Sequence, residues 1–296
     1  MPDQPKRPFR KPHGGSGKPP FKARFKPPGK PGGRSRPDSG YRPPGPPATT
    51  LDDGIVRLYG IHPVEAALRN PARRIGRLVA TDNAARRLAE AIAHRNIRVE
   101  PTSPRDLDRQ LGADTVHQGV LLETEPLPEP ALADLAEAAR TGGPIVVLDQ
   151  VTDPHNAGAV IRSAAVFDAA GLVMTRRHSP PLTGTLAKSA SGALEVVPVV
   201  LVQNLARAMA ELADLGVRLV GLDGDGGRLI DDEPFTGATA IVLGAEGKGL
   251  RQLTRDSCHV VCRIGAAGAI TSLNVSNAAA VTLHLAALRR RADGAA

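Results

Sequence analysis

The chain contains no tryptophan, two tyrosines, five phenylalanines and two cysteines in 296 residues. With so few large rings, any core must be built from Ala, Val, Leu and Ile packed closely through small side chains. Two cysteines cannot form a disulfide framework. Cys258 and Cys262 sit in a stretch that reads as strand, and a lone C-x3-C without a second ligand pair is a weak zinc signal, so two reduced, buried thiols is the reading. No run of about 18 apolar residues occurs, which leaves no candidate membrane span. The N-terminus has Lys and Arg but no apolar stretch behind them, so it does not read as a signal peptide. These absences together give the expectation of a cytoplasmic protein.

What is present is unevenly distributed. Hydrophobic residues make up 41% of the sequence, and the length suits one or two domains plus a tail. The formal charge is +8, yet residues 1–50 alone carry twelve Lys or Arg against Asp3 and Asp38, which leaves the remainder at −2. The basic signal therefore belongs to the tail. That segment also holds fourteen of the 27 prolines and eight glycines. It cannot bury enough apolar surface to offset its chain entropy, so disorder is expected. Phe9, Phe21, Phe25 and Tyr41 are scattered through it, a composition suited to loose attachment to RNA by phosphate attraction and base stacking. A merely solubilising tail has the same composition.

From residue 54 the pattern changes. Ile55–Gly60, Ile75–Ala80, Ile97–Glu100 and Gly119–Glu123 read as strands; Pro63–Leu68, Ala84–His94 and Pro104–Leu111 read as helices. This is a small α/β unit over 54–125. Residues 126–143 read as a linker with a boundary helix at Ala131–Arg140. A second unit, 144–292, has strands at Pro144–Leu148, Leu172–Thr175, Val196–Val200, Val217–Leu222, Thr239–Leu243 and Val260–Ile264. Helices are expected at Asn156–Ala169, 183–191, 203–215, 249–254 and Asn274–Arg291. Alternation of this kind predicts a mostly parallel sheet with helices on both faces.

Three polar, glycine-rich loops follow strands of the second unit, where ligands of open α/β sheets gather. The first runs from Leu148 through Asp153-Pro154-His155-Asn156-Ala157-Gly158 to Arg162. Asn156 suits a helix N-cap, and Gly158 permits close backbone approach. Arg162 stands among Ala, Val and Ile; on position alone, a solvent-directed arginine and one reaching a cleft are level. The second loop is Leu243-Gly244-Ala245-Glu246-Gly247-Lys248-Gly249. It is neither a phosphate-binding P-loop nor G-x-G-x-x-G, which disfavours nucleotide hydrolysis and dinucleotide binding. Glycines around one carboxylate suit a flat ligand, although an ordinary turn with an exposed Glu fits the pattern as well. The third loop runs from Ile264 to Ser272-Leu273-Asn274-Val275-Ser276-Asn277 and enters an apolar helix. One cap needs one polar residue, and here there are four.

In this order and spacing, D-P-x-N-x-G-x-x-x-R, G-x-E-G-x-G and S-L-N-V-S resemble the three motifs of the SpoU/TrmH family of RNA ribose methyltransferases. The resemblance covers roughly 144–291. Tyr59-Gly60-Ile61-His62-Pro63 and His117-Gln118-Gly119 are similar to that family's small L30e-like substrate-binding domain. With both domains present, the chain most resembles the members that methylate a guanosine 2′-hydroxyl of 23S rRNA.

The resemblance implies a C-terminal domain with a deep trefoil knot, S-adenosyl-L-methionine as cofactor, RNA as partner and a homodimer whose subunits join to complete the site. It implies that Arg162, Glu246, Ser272, Asn274 and Asn156 are catalytic, and that Gly244, Ile264, Leu273, Leu243 and Gly249 contact the cofactor. A guanidinium stays protonated in almost any site, so stabilising an alkoxide or gripping a phosphate suits Arg162 better than proton abstraction. A tRNA-directed methyltransferase and an inactive RNA-binding assembly factor on the same fold are the competing readings.

Overall fold

The computed structural model describes residues 54–268 and 272–294. The tail over 1–50, and Ala269–Thr271 of the third loop, lie outside them.

The first unit is built on a four-stranded sheet. Its strands are β1 (Val56–Tyr59), β2 (Ile75–Ala80), β3 (Val99–Pro101) and β4 (Val120–Thr124), in the order β1-β4-β2-β3. β4 runs antiparallel to both neighbours, and β2 and β3 are parallel. Helices α1 (Ile61–Arg69), α2 (Asp82–Arg87), α3 (Ala89–Arg95) and α4 (Pro104–Leu111) cover it. The single helix expected over Ala84–His94 breaks at Leu88, a fully buried residue with φ −98° and ψ 5° about which the chain turns. Ser103 caps α4 by accepting from the Asp106 N–H, and Pro104 pre-sets its first turn. The His117-Gln118-Gly119 segment is structural: Gln118 Oε1 accepts from Ile61 N–H at the start of α1, and His117 Nδ1 accepts from Gly119 N–H.

The second unit holds a seven-stranded, wholly parallel sheet ordered β7-β6-β5-β10-β8-β11-β9. The strands are β5 (Gly143–Asp149), β6 (Ala169–Thr175), β7 (Val199–Val202), β8 (Arg218–Leu222), β9 (Arg228–Leu229), β10 (Thr239–Gly244) and β11 (Val260–Arg263). All seven residues of β5 are buried, as expected of a parallel strand covered on both faces. Helix α5 (Leu132–Thr141) precedes the sheet, and α6 (Pro154–Val166), α7 (Gly184–Ala190), α8 (Leu205–Asp214), α9 (Gln252–Asp256) and α10 (Val275–Gly294) follow in turn. The helix read within the linker is packed onto the sheet: Leu132, Leu135, Ala136 and Ala139 share a core with Ile145, Val147 and Met209.

Three local expectations change. Asp153, not Asn156, caps α6, accepting from His155 N–H at 2.9 Å. Pro154 then occupies the first turn, so the helix begins too early for Asn156 to act as its cap. At its other end α6 stops at Val166 and β6 starts at Ala169, because Asp168 takes φ +55° between them. The strand read over Val196–Val200 begins only at Val199. Ala193–Glu195 form a 3-10 turn, Val196 is 71% exposed, and Pro198 has no N–H to offer a ladder. β9, two residues long at the sheet edge, escapes any periodicity argument.

One hydrophobic cluster runs through both units, from Leu58 and Val64 to Val146, Leu283 and Ala286. A polar junction accompanies it. Glu195 accepts from Arg73 Nη2 at 2.6 Å and from Asn70 Nδ2 at 2.8 Å, with Arg73 and Glu195 only 3% and 4% exposed. Tyr59 and Thr185 hydroxyls meet at 3.0 Å.

Candidate active site

The sheet's strand order reverses around β5: β6 and β7 extend to one side, and β10, β8 and β11 to the other. Crevices open beyond the carboxyl ends of strands at such a point. The glycine-rich loop after β10 rises there. Gly244 must be glycine, since an added Cβ would lie 2.1 Å from the Gly249 carbonyl oxygen as the loop folds back on itself. Gly158, inside α6, meets α7 just as closely: a Cβ would stand 2.7 Å from the Leu186 carbonyl oxygen. Close helix contact at that point fixes the start of α6 beside the loop.

The three loops are joined by side chains. Asn274 Nδ2 donates to Asn156 Oδ1 at 3.0 Å and to Glu246 Oε2 at 3.1 Å. Asn156 Nδ2 donates to the same Glu246 oxygen at 3.2 Å. Asn274 Oδ1 in turn accepts from the Ser276 backbone N–H and hydroxyl, at 2.9 and 2.6 Å. Asn274 is thus both the cap of α10 and a corner of a closed polar triangle. The two functions, offered by the sequence as alternatives, coexist in one amide.

Beside the triangle lies a cavity of about 520 Å³. Leu243, Gly244, Gly249, Ile264 and Leu273 all line it, as do Glu246 and Ser272. Asn156 and Asn274 stand behind Glu246. Arg162 is not brought to the group: it is exposed on α6 and makes no hydrogen bond or ion pair with a described residue.

Sequence reasoning missed a fourth wall, Asp223-Gly224-Asp225 after β8. A D-G-D-G-G run directly beyond a strand was the available signal. Burial pushes the Asp223 carboxyl up, but the N–H groups of Asp225 and Leu250 and the Arg255 guanidinium outweigh it and hold the group below its ordinary range. Asp223 therefore stays ionised at the cavity wall. Cys258, expected within a strand, instead follows α9; its Sγ–H donates to the Thr254 carbonyl, and burial pushes the thiol up to about 12. Cys262 is buried in β11.

The cavity is lined by the glycine-rich loops that follow β8, β10 and β11, and Asp223, Asp225 and Glu246 outnumber Lys248 among its charged residues. That balance favours a ligand with a positive centre.

Comparison with known proteins identifies the family. The SpoU rRNA methylase family model matches residues 143–284, and a model for RNA 2′-O ribose methyltransferase substrate-binding domains matches 57–130. The 23S rRNA (guanosine-2′-O-)-methyltransferase RlmB of Vibrio cholerae is 40% identical, the match covering 80% of this chain and 98% of that protein. RlmB of Pseudomonas putida is 36% identical over the same shares. The fold matches the crystal structure of the SpoU methyltransferase AviRb from Streptomyces viridochromogenes in complex with AdoMet, with a TM-score of 0.69 and 24% identity over 81% of this chain and 92% of that one. The match thus runs over nearly the whole length of these relatives, and the chain belongs to the SpoU rRNA methylase family.

Proposed function

We propose that this chain transfers a methyl group from S-adenosyl-L-methionine to the ribose 2′-hydroxyl of a guanosine in 23S rRNA. The observation that carries the reading is the Asn156–Glu246–Asn274 triangle, which joins all three motif loops at the edge of the cavity. The relatives named for that reaction supply the substrate. An rRNA substrate supports a cytoplasmic location.

The residues present fit the cofactor. The cavity volume lies within the usual range for small-molecule sites, and the excess of carboxylates suits a sulfonium. Leu243, Gly244, Gly249, Ile264 and Leu273 would hold the adenosine and methionine parts. When bound, the cofactor supplies a methyl group already activated by positive charge. What remains for the protein is alignment of a weakly acidic alcohol and stabilisation of the alkoxide. Glu246, fixed by two amides on one oxygen, keeps its other oxygen for orientation. Ser272, at the cavity lip, would orient the ribose.

Arg162 belongs to this chemistry through a second copy of the chain. Val166, one helical turn beyond it on α6, is 69% exposed, and Val281 and Leu288 on the adjoining α10 are each 46% exposed. Val281 and Leu288 are two turns apart on one face. A homodimer covering these residues would enclose Arg162, where it stabilises the alkoxide or grips a neighbouring phosphate. Family membership also supports a trefoil knot in this unit.

The test is ribose-methylation mapping of total RNA from a strain lacking the gene, paired with an Arg162→Ala enzyme. One 23S guanosine should lose its mark, and Arg162→Ala should slow turnover by about 10²–10³ while calorimetry finds cofactor binding nearly intact. An unchanged rRNA map, or a variant that keeps most of its rate, would refute the assignment.

A further inference from the structure

A second cavity, of about 310 Å³, opens on the same edge of the sheet, beyond the ends of β5, β6 and β7. Its walls include Arg177, His178, Arg251, Gln150, Gln203 and Asn204, and no carboxylate. It is the electrostatic opposite of the cofactor cavity, three of whose lining residues are acidic.

The cationic groups are available. Arg177 is exposed, and its guanidinium has no hydrogen bond or ion pair with a described residue. His178 is likewise exposed beside it. Arg251 is anchored from below by the fully buried Asp149, through Nε at 2.7 Å and its backbone N–H at 3.1 Å. That bond uses part of its charge and holds the side chain at the cavity rim. Gln150 and Gln203 add amides able to read a base edge, and Leu253, 66% exposed, adds an apolar surface.

The two cavities are tied to one another. Gly244 and Asp149 are paired across β10 and β5, and the single segment that leaves β10 carries Glu246 to the first cavity and Arg251, anchored on Asp149, to the second. From β8 to β6 is three strand spacings, roughly 15 Å, a span that a few nucleotides of single strand can bridge.

We propose that this second cavity binds a phosphodiester and base of the RNA substrate a few nucleotides from the acceptor ribose, with Arg177 as its principal phosphate contact. The proposal rests on the methyltransferase reading for its substrate, but not for its test. Filter binding of unmodified, transcribed 23S rRNA over a range of salt concentrations would compare the wild-type chain with Arg177→Glu, Arg177→Ala and Arg177→Lys.

Each of the first two variants should weaken binding, by on the order of tenfold for Arg177→Glu, and should lower the salt slope by about 1. Arg177→Lys should retain most of the slope. Cofactor affinity and unfolding midpoint should not move, and in turnover KM for the RNA should rise while kcat at saturation holds. An unchanged slope in Arg177→Glu would overturn the proposal. So would a loss of cofactor binding, or a fall in kcat with KM preserved, since either places Arg177 in the other cavity's work. Because the slope is read without turnover, a chain that bound in this manner yet never methylated RNA would uphold the subsite and refute the enzyme.

Discussion

Gly244 shows how much can rest on one missing methyl group. Its Cα lies against the carbonyl of Gly249, and no side-chain rearrangement can relieve a clash between two stretches of backbone. Gly244→Ala should therefore open the loop and reduce cofactor affinity at least about tenfold, with global stability lowered by only about 1–3 kcal/mol. Calorimetry with S-adenosyl-L-methionine, alongside urea unfolding, separates the two effects; intact affinity would show that the loop does not define the cavity. Gly244, Glu246 and Asn274 were singled out in the sequence by the resemblance of their loops to family motifs, because on pattern alone an ordinary turn accommodates Glu246 and a helix cap accommodates Asn274. The same holds for Arg162. A long charged side chain on an apolar helix is compatible with solvent, a cleft or a partner, and only the exposed apolar neighbours on α6 and α10 favour the last.

At the level of elements, the parallel sheet was legible because buried strands such as Ile145–Leu148 and Ala240–Leu243 are unbroken apolar runs. The misplaced elements have long-range causes. Nothing near Val196 announces that Glu195 is claimed by Arg73, 122 positions away. That pair also yields a prediction about how the two units stay together. Glu195→Ala would strand a buried guanidinium and should destabilise the fold by about 3–5 kcal/mol. Replacing both partners, Arg73→Met with Glu195→Leu, should restore most of the loss, because apolar side chains of similar volume need no counter-charge. Denaturant midpoints of the wild-type chain and of the two variants decide the matter. If the single change costs nothing, the contact does not hold the units together.

For the whole molecule, the described residues include no helix long and apolar enough to cross a membrane, and three of their eight exposed large apolar side chains, Val166, Val281 and Leu288, lie on the adjoining α6 and α10. Val281→Asp with Leu288→Asp should convert a dimer to a monomer, read by analytical ultracentrifugation. It should also abolish methylation without removing cofactor binding, if Arg162 acts across the interface. A monomeric wild-type chain, or a monomeric variant with full activity, would refute the shared site. Dimerisation was an inference from resemblance, not from spacing: sequence periodicity gives α10 an apolar face but cannot count how many neighbours will cover it. The charge of the tail, by contrast, was plain from composition alone.

The amide–carboxylate triangle has a consequence for biosynthesis. Its corners are supplied by positions 156, 246 and 274, with 118 residues separating the first from the last. A ribosome making this polypeptide must therefore release everything from position 156 through position 274 before the three can meet. Until the segment carrying Asn274 emerges, the growing chain holds two corners of an open triangle, so the pocket's edge is set after translation of the loops that line it and not during it.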